Sequence, residues 1–277
     1  MRVAFQGELG AFSQQAIGQM LGAKATPAPC ARFEEMFDAL ASRRVSAAVA
    51  PIENTLHGSV HQNYDLLLQH DFVITAETNV RVMLNLIAAP GTGFARVTQA
   101  YSHPVALDQC QEFFRRHKRI ESVPFYDTAG SVKMLMHDRP RGAAAIASEL
   151  AAKIYGARIL KREIEDDRRN YTRFFLLEPR GAPARQPKGS REKPWKTSLV
   201  FSTRNVAGAL FRALAALALR DLNLTKLESR PLRGRPWEYM FYLDLIGRQT
   251  DEPVRKALGH LGEVADFLRV LGSYRAA

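Results

Sequence analysis

What this 277-residue chain has little of narrows the field first. It holds two cysteines, Cys30 and Cys110, in unrelated contexts and with no C-x-x-C pair. Neither a zinc ribbon nor a disulfide framework is indicated, and both thiols are read as reduced. No apolar run reaches the roughly 18 residues that suggest a membrane span. Met1 leads at once into the strand pattern RVAFQG, so no targeting segment is expected ahead of it and the expected compartment is the cytoplasm. The glycines of GELGAFSQQA fit neither a dinucleotide-binding nor a P-loop spacing. His57 and His61 stand at i, i+4, a chelating spacing on a helix. But Gly58 and Ser59 between them point to a helix that begins there, and no third ligand follows at a suitable spacing. Ser102 and His103 are adjacent in extended chain and point to opposite faces, which counts against a Ser-His hydrolase. No metal and no cofactor are expected.

The residues present describe a soluble globular protein. Apolar residues make up 46% of the chain and charged residues 24%, enough to bury a sizeable core in one large domain or two ordinary ones. There are 39 Lys and Arg against 28 Asp and Glu, a net charge of +11. The basic residues are scattered, apart from the run PRGAPARQPKGSREKPWK over 179–196. That run is rich in Pro and Gly and has no apolar period, so it reads as a linker. The charge then suits a small anionic substrate, and neither nucleic acid nor a membrane is expected as a partner.

The linker divides the chain into 1–178, 179–195 and 196–277. Before it, strand-like and helix-like segments alternate. RVAFQG, VSAAVAPIE, FVITAETNVRVMLNLIA (one or two strands), IESVPF and AAAIAS are strand-like. AFSQQAIGQML, RFEEMFDALAS, SVHQNYDLLLQH, VALDQCQEFFRRH and TAGSVKMLMH are helix-like. Such alternation predicts an α/β fold on mainly parallel sheets, and the number of strands predicts two lobes with a cleft between them. After the linker the order becomes strand (KTSLVFST), helix (VAGALFRALAALALRD), strand (LTKLESRP), strand (WEYMFYLDLIG), helix (DEPVRKALGHLGEV), strand (ADFLRVLGSY), with a Gly-Pro turn, LRGRP, between the paired strands. That is a βαββαβ, ferredoxin-like unit. The first helix is apolar nearly all round and must pack on something.

Several strand-to-helix junctions carry polar residues. Glu53, Asn54 and Thr55 end the strand of VSAAVAPIE, and Gly58 and Ser59 open the next helix. Ser102 ends a short strand, Pro104 starts a helix and Gln109 lies within its first two turns. Thr128 and Ala129 open another helix, and Gly7 through Ser13 opens a fourth. Each is an ordinary turn taken singly; together they form a ring of helix N-termini suited to a small dianion. The stretch RRNYTRFFLLEP sets Thr172 and Arg173 at the mouth of the apolar run Phe174–Leu177. Either this is a strand start with a solvated Arg, or it is a substrate site at a strand end.

These segments resemble a known family. NYTRFFLL resembles the N-x-T-R-F motif of prephenate dehydratases. VAPIENTLHGSVHQNYDLLL, YSHPVALDQC and DTAGSVKM look like that family's other segments in the same order. LTKLESRP resembles the E-S-R-P motif of the ACT regulatory domain joined to it. The resemblance spans nearly the whole chain. There are departures: Glu8 and Ala11 replace Pro and Thr/Ser in the usual G-P-x-G-T/S-F/Y-S, and Ala207 replaces Pro in the ACT motif P-G-A-L.

The resemblance implies a two-lobed catalytic domain, like periplasmic binding proteins, followed by an ACT domain. It implies decarboxylating dehydration of prephenate to phenylpyruvate, with L-phenylalanine as effector and a homodimer or homotetramer as assembly. By resemblance Thr172 lies nearest the leaving hydroxyl, and Glu53, if buried with a raised pKa, would be the proton donor. Asn54, Ser102 and Gln109 would orient the ring substituents. Arg173, Phe174, Thr55, Ser13, Thr128 and Ala129 would bind substrate, Arg173 either on a carboxylate or facing away in an ion pair. Gly208, Ala209, Leu210, Asn223, Leu224, Glu228, Ser229 and Arg230 would bind the effector. An arogenate dehydratase is the nearest alternative, and a non-catalytic amino-acid sensor a remote one.

Overall fold

The computed structural model describes residues 1–187, 189–232 and 237–277. Of the expected LRGRP turn, all but Leu232 lies outside the described residues, as does Lys188 of the basic run. The chain forms two compact units, Met1–His70 with Thr78–Phe175, and Asp71–Glu77 with Leu176–Ala277.

The first unit holds two lobes. One is built from β1 (Arg2–Gln6), α1 (Phe12–Leu21), β2 (Thr26–Cys30), α2 (Phe33–Ala41), β3 (Ala47–Asn54), β4 (Gly58–Ser59), α3 (His61–Gln69) and, from Thr78 on, β5 (Phe72–Arg81). The second holds β6 (Asn85–Ala88), β7 (Gln99–Ser102), α4 (Pro104–Asp108), α5 (Gln111–Arg116), β8 (Glu121–Pro124), α6 (Thr128–Asp138), β9 (Ala143–Ala147), α7 (Glu149–Tyr155) and β10 (Arg158–Lys161). The chain then returns as β11 (Tyr171–Pro179) to the first sheet, whose order is β2-β1-β3-β11-β5 with β4 against β3. The second sheet runs β10-β6-β9-β7-β8. β1 is parallel to β2 and β3, and β7 to β8 and β9, while β6 is antiparallel to β9 and β10. Apolar strands such as β3 and β9 are buried on both faces, as helix-covered strands must be.

A strand falls outside the expected elements, and two local expectations change. β2, with sequence TPAPC, is a strand despite two prolines; at the sheet edge a missing N–H costs little. The helix expected over 105–117 is broken into α4 and α5, with Gln109 as the C-cap of the first. Gly58 and Ser59 do not open α3. They turn back as β4 onto Asn54 and Glu53, and the helix begins at His61. His57 and His61 therefore share no helical turn.

In the second unit β12 (Trp195–Ser202), α8 (Ala209–Ala218), β13 (Leu224–Pro231), β14 (Tyr239–Ile246), α9 (Glu252–Val264) and β15 (Phe267–Arg275) follow the expected βαββαβ order. The sheet order is β13-β14-β12-β15, antiparallel throughout. Ala213, Ala216 and Leu217 of α8 and Val254, Ala257 and Leu261 of α9 share one core with Leu199, Phe201, Leu243 and Leu245. The opposite side of α8 is not covered: Phe211 is exposed. Residues 71–77 belong to this unit. Glu77 accepts Lys196 Nζ at 2.6 Å, and both side chains are largely buried. The described residues of the 180–194 stretch form no regular element, but Arg185 ties the stretch down through a bidentate grip on Glu178.

Candidate active site

The first unit encloses a cleft of about 710 Å³. Asn54 and Thr172, at the ends of the adjacent strands β3 and β11, face it from one lobe; Gln109 and Thr128 face it from the other. Asn54 is the organising side chain. Its Nδ2 donates to Asn170 Oδ1 at 2.8 Å, Thr172 Oγ1 at 3.0 Å and the Tyr171 carbonyl at 3.1 Å. Its Oδ1 accepts the N–H groups of Leu56 and His57, each at 3.0 Å. With Nδ2 already on its oxygen, the Thr172 hydroxyl keeps its own proton to offer into the cleft.

Thr55 serves the frame. Its hydroxyl donates to the Arg169 carbonyl at 2.8 Å and accepts Tyr171 N–H at 2.9 Å, stitching the β3 exit to the β11 entry. Arg173 faces away from the cleft. It stands 3.9 Å from Glu53 and lies over the Phe175 ring, 4.7 Å from the centroid. The burial on which a donor role for Glu53 depends is not met, as its side chain is 37% exposed beside Arg173.

Four further residues lie off the cleft wall. Ser102 is fully buried and donates to the Ile146 carbonyl at 2.7 Å, so its hydroxyl is spent inside the second sheet. Phe174 is in the core, Ala129 packs in the core of the second lobe, and Ser13 is buried in α1. The physical reason is common to them. A strand or helix presents alternate or every third or fourth residue to one side, so neighbours of a site residue need not share its face.

Cleft residues outside the expected set include Gln6, Arg32, Phe33, Glu34, Gln62, His57 and His103. Arg32 and Glu34 sit at the β2–α2 junction, another strand-to-helix turn, hidden in the sequence by the prolines of β2. Gln62 Nε2 donates to Glu34 Oε1 at 2.6 Å. His103 Nδ1 accepts Val105 N–H at 3.3 Å and caps α4. Beside the cleft, Asp127 caps α6 by accepting Gly130 N–H at 2.7 Å. Burial pushes its carboxyl pKa up, with a smaller push from Glu8, against the lowering by its backbone hydrogen bonds.

In the second unit, Ala209 and Leu210 line a small pocket of about 120 Å³ with Thr203, Trp237 and Tyr239. Gly208 caps α8 with φ +74°. Asn223 immediately precedes β13, an edge strand that carries Leu224, Glu228, Ser229 and Arg230, and none of these five lines that pocket. Glu228 pairs with Lys226 at 2.9 Å.

The prephenate dehydratase family model matches residues 3–182, and the ACT domain model matches residues 197–263. A relative from Arabidopsis thaliana, described as a chloroplastic arogenate dehydratase/prephenate dehydratase, is 43% identical over 289 residues, covering 99% of this chain and 72% of its own. Among solved structures, a prephenate dehydratase from Arthrobacter aurescens in complex with L-Phe superposes with a TM-score of 0.89 at 32% identity, over 100% of this chain and 90% of that one. A protein described as a novel type of quorum-quenching acylase superposes with a TM-score of 0.90, also at 32% identity, over 100% and 98%.

Proposed function

Because the chain belongs to the prephenate dehydratase family and carries an ACT domain, we propose that Thr172, Asn54, Gln109 and Thr128 carry out the decarboxylating dehydration of prephenate in the cleft. The C1–carboxylate bond breaks and releases CO2, its electron pair enters the ring, and the C4–oxygen bond breaks as the hydroxyl takes a proton and departs as water. Aromatisation drives the step, so the protein has to orient the ring and assist the leaving oxygen. The observation that carries this reading is Asn54 donating to Thr172 Oγ1 at 3.0 Å on the cleft wall, which leaves the hydroxyl proton available to a substrate oxygen. Glu53 and Arg173 act on this reading as a structural pair. Ser102 holds the second sheet. The catalytic domain spans 1–178 and the linker 179–195, and the ACT domain from 196 to 277 binds L-phenylalanine. The pocket beside Ala209 and Leu210 would supply one part of the effector site and the Glu228–Arg230 strand of a second copy the rest, which gives a homodimer or a homotetramer.

A second reading, arogenate dehydration, is favoured by Glu34. Arogenate carries an ammonium where prephenate has a keto group, and a carboxylate on the cleft wall suits it. Amide hydrolysis, suggested by the acylase likeness, would need an activated nucleophile; Thr172 Oγ1 is partnered by the Asn54 amide, which is no base, and Ser102 donates to a carbonyl off the cleft wall. The test is turnover of prephenate and of arogenate by the purified chain, with and without L-phenylalanine. Phenylpyruvate formation that responds to L-phenylalanine supports both halves. Turnover of neither substrate sinks the dehydratase reading, and turnover indifferent to L-phenylalanine sinks the regulatory one.

A further inference from the structure

The loop after β1 carries one of the departures from the motif pattern noted above, with Glu8 in the place of the usual proline. The catalytic reading leaves Glu8 without a role. The structure gives it partners on the other lobe. Glu8 Oε1 accepts the Tyr126 hydroxyl at 3.0 Å, and Lys133 Nζ lies 3.1 Å from Oε1 and 3.0 Å from Oε2. The backbone of the same loop is fastened alongside. The Ser148 hydroxyl donates to the Gly10 carbonyl at 2.6 Å in a buried contact, and Ala11 packs into the second lobe's core. The loop leaves the first lobe at Gln6, a cleft residue; its backbone is held at the start of α7, which Ser148 caps, and its Glu8 side chain grips α6. Tyr126 precedes that helix, Asp127 caps it and Thr128 opens it on the cleft wall.

We infer that Glu8 is a positioning residue: its bridge to Tyr126 and Lys133 sets the separation between the lobe that carries Asn54 and Thr172 and the lobe that presents Thr128. A proline at this place has no side chain to make such a bridge, so in this chain the tie between lobes is charged. Lys133 is about half exposed, and an exposed pair adds little to global stability. Its effect falls on cleft geometry, where a small change in lobe separation alters every contact that spans the gap. The activity part of this inference rests on the dehydratase reading above; the geometric part does not.

The experiment is a double-mutant cycle with a charge exchange. Glu8→Ala, Lys133→Ala, the double variant and E8K/K133E are compared with the parent chain. The readouts are kcat and KM on prephenate and arogenate, thermal midpoint, and amide exchange over 7–11 and 126–133. Each single variant is expected to raise KM by about three- to tenfold, with the double no worse than the poorer single. Thermal midpoints stay close to the parent's and exchange speeds up in both segments. The exchanged pair recovers at least half of the lost kcat/KM and of the protection. Unchanged KM and exchange in both singles overturns the inference. So does multiplication of the two effects in the double, or an exchanged pair no better than the singles. If the parent chain turns over neither substrate, the dehydratase reading falls, and the exchange arm alone decides whether Glu8 ties the lobes.

Discussion

Two hydroxyls named together as site residues, Thr172 and Ser102, have opposite surroundings, and their alanine variants separate accordingly. Thr172 faces the cleft with its proton free of protein acceptors among the described hydrogen bonds; Ser102 gives its proton to Ile146 deep in β9. Thr172→Ala is expected to lower kcat by about a hundredfold or more, the scale of a lost proton-handling group, with the fold intact. Ser102→Ala is expected to leave kcat within about twofold and to cost about 1–2 kcal/mol, because the carbonyl it served is left buried. Parallel kcat and denaturation measurements on both variants check this; a large kcat loss in Ser102→Ala with unchanged stability would return it to the active site.

Asp127 makes a pH prediction at the same scale. Desolvation raises its pKa in the folded state, so the folded protein holds this proton more tightly than the unfolded chain does. Its stabilising contribution is therefore fully present below the ordinary carboxylate value, about pH 4, and is lost as pH rises through the raised one. Asn at this place still caps α6 but does not titrate. The stability of the parent relative to Asp127→Asn should thus decline upward from about pH 4 and then level. A difference that rises with pH in that window would mean the burial of Asp127 does not dominate.

At the scale of elements, the loop that joins β1 to α1 is defined by what it cannot accommodate. A Cβ at Gly10 would lie 2.5 Å from Ala151 Cα, and the residue sits at φ +93°. Gly10→Ala is expected to cost about 3–5 kcal/mol, from overpacking and backbone strain together. Gly22→Ala, at φ +66° with open space around it, should cost only about 1 kcal/mol. Urea midpoints for the two variants measure the difference, and equal losses would show that α7 gives way. Beyond this loop, the apolar period decides what is legible in the sequence. The helices α1, α2 and α6 and the strands β1, β3 and β9 carry clear apolar periods and were legible. β2 was not, since its prolines mask an edge strand, and Arg32 and Glu34 were lost with it. Asn54 was legible at a polar strand end, and Gln109 and Thr128 in the first turns of helices. That Ser102, Ser13 and Ala129 turn inward was not, because facing depends on packing partners far away in sequence, such as Ile146 for Ser102.

For the whole molecule, the net charge of +11 meets a substrate whose charge differs between the two candidate reactions. Prephenate enters as a dianion. Arogenate, with its ammonium, carries a net charge of one. A positive field attracts both, but the attraction scales with ligand charge and is screened as the Debye length shrinks from about 30 Å at 0.01 M to about 10 Å at 0.1 M salt. The fall in log kcat/KM with ionic strength should therefore be steeper for prephenate, by about a factor of two. Salt also weakens the Glu8–Lys133 tie, but that change is common to both substrates, so the difference between the two slopes isolates the field acting on the ligand. Glu34 adds a second, local contribution. Its carboxylate opposes the dianion and favours the ammonium, so Glu34→Gln should raise kcat/KM for prephenate relative to arogenate while leaving the two salt slopes about as far apart as before. Slopes that coincide in the parent chain would mean that the overall charge does not reach the cleft, and that discrimination between the two substrates lies entirely in contacts such as Glu34.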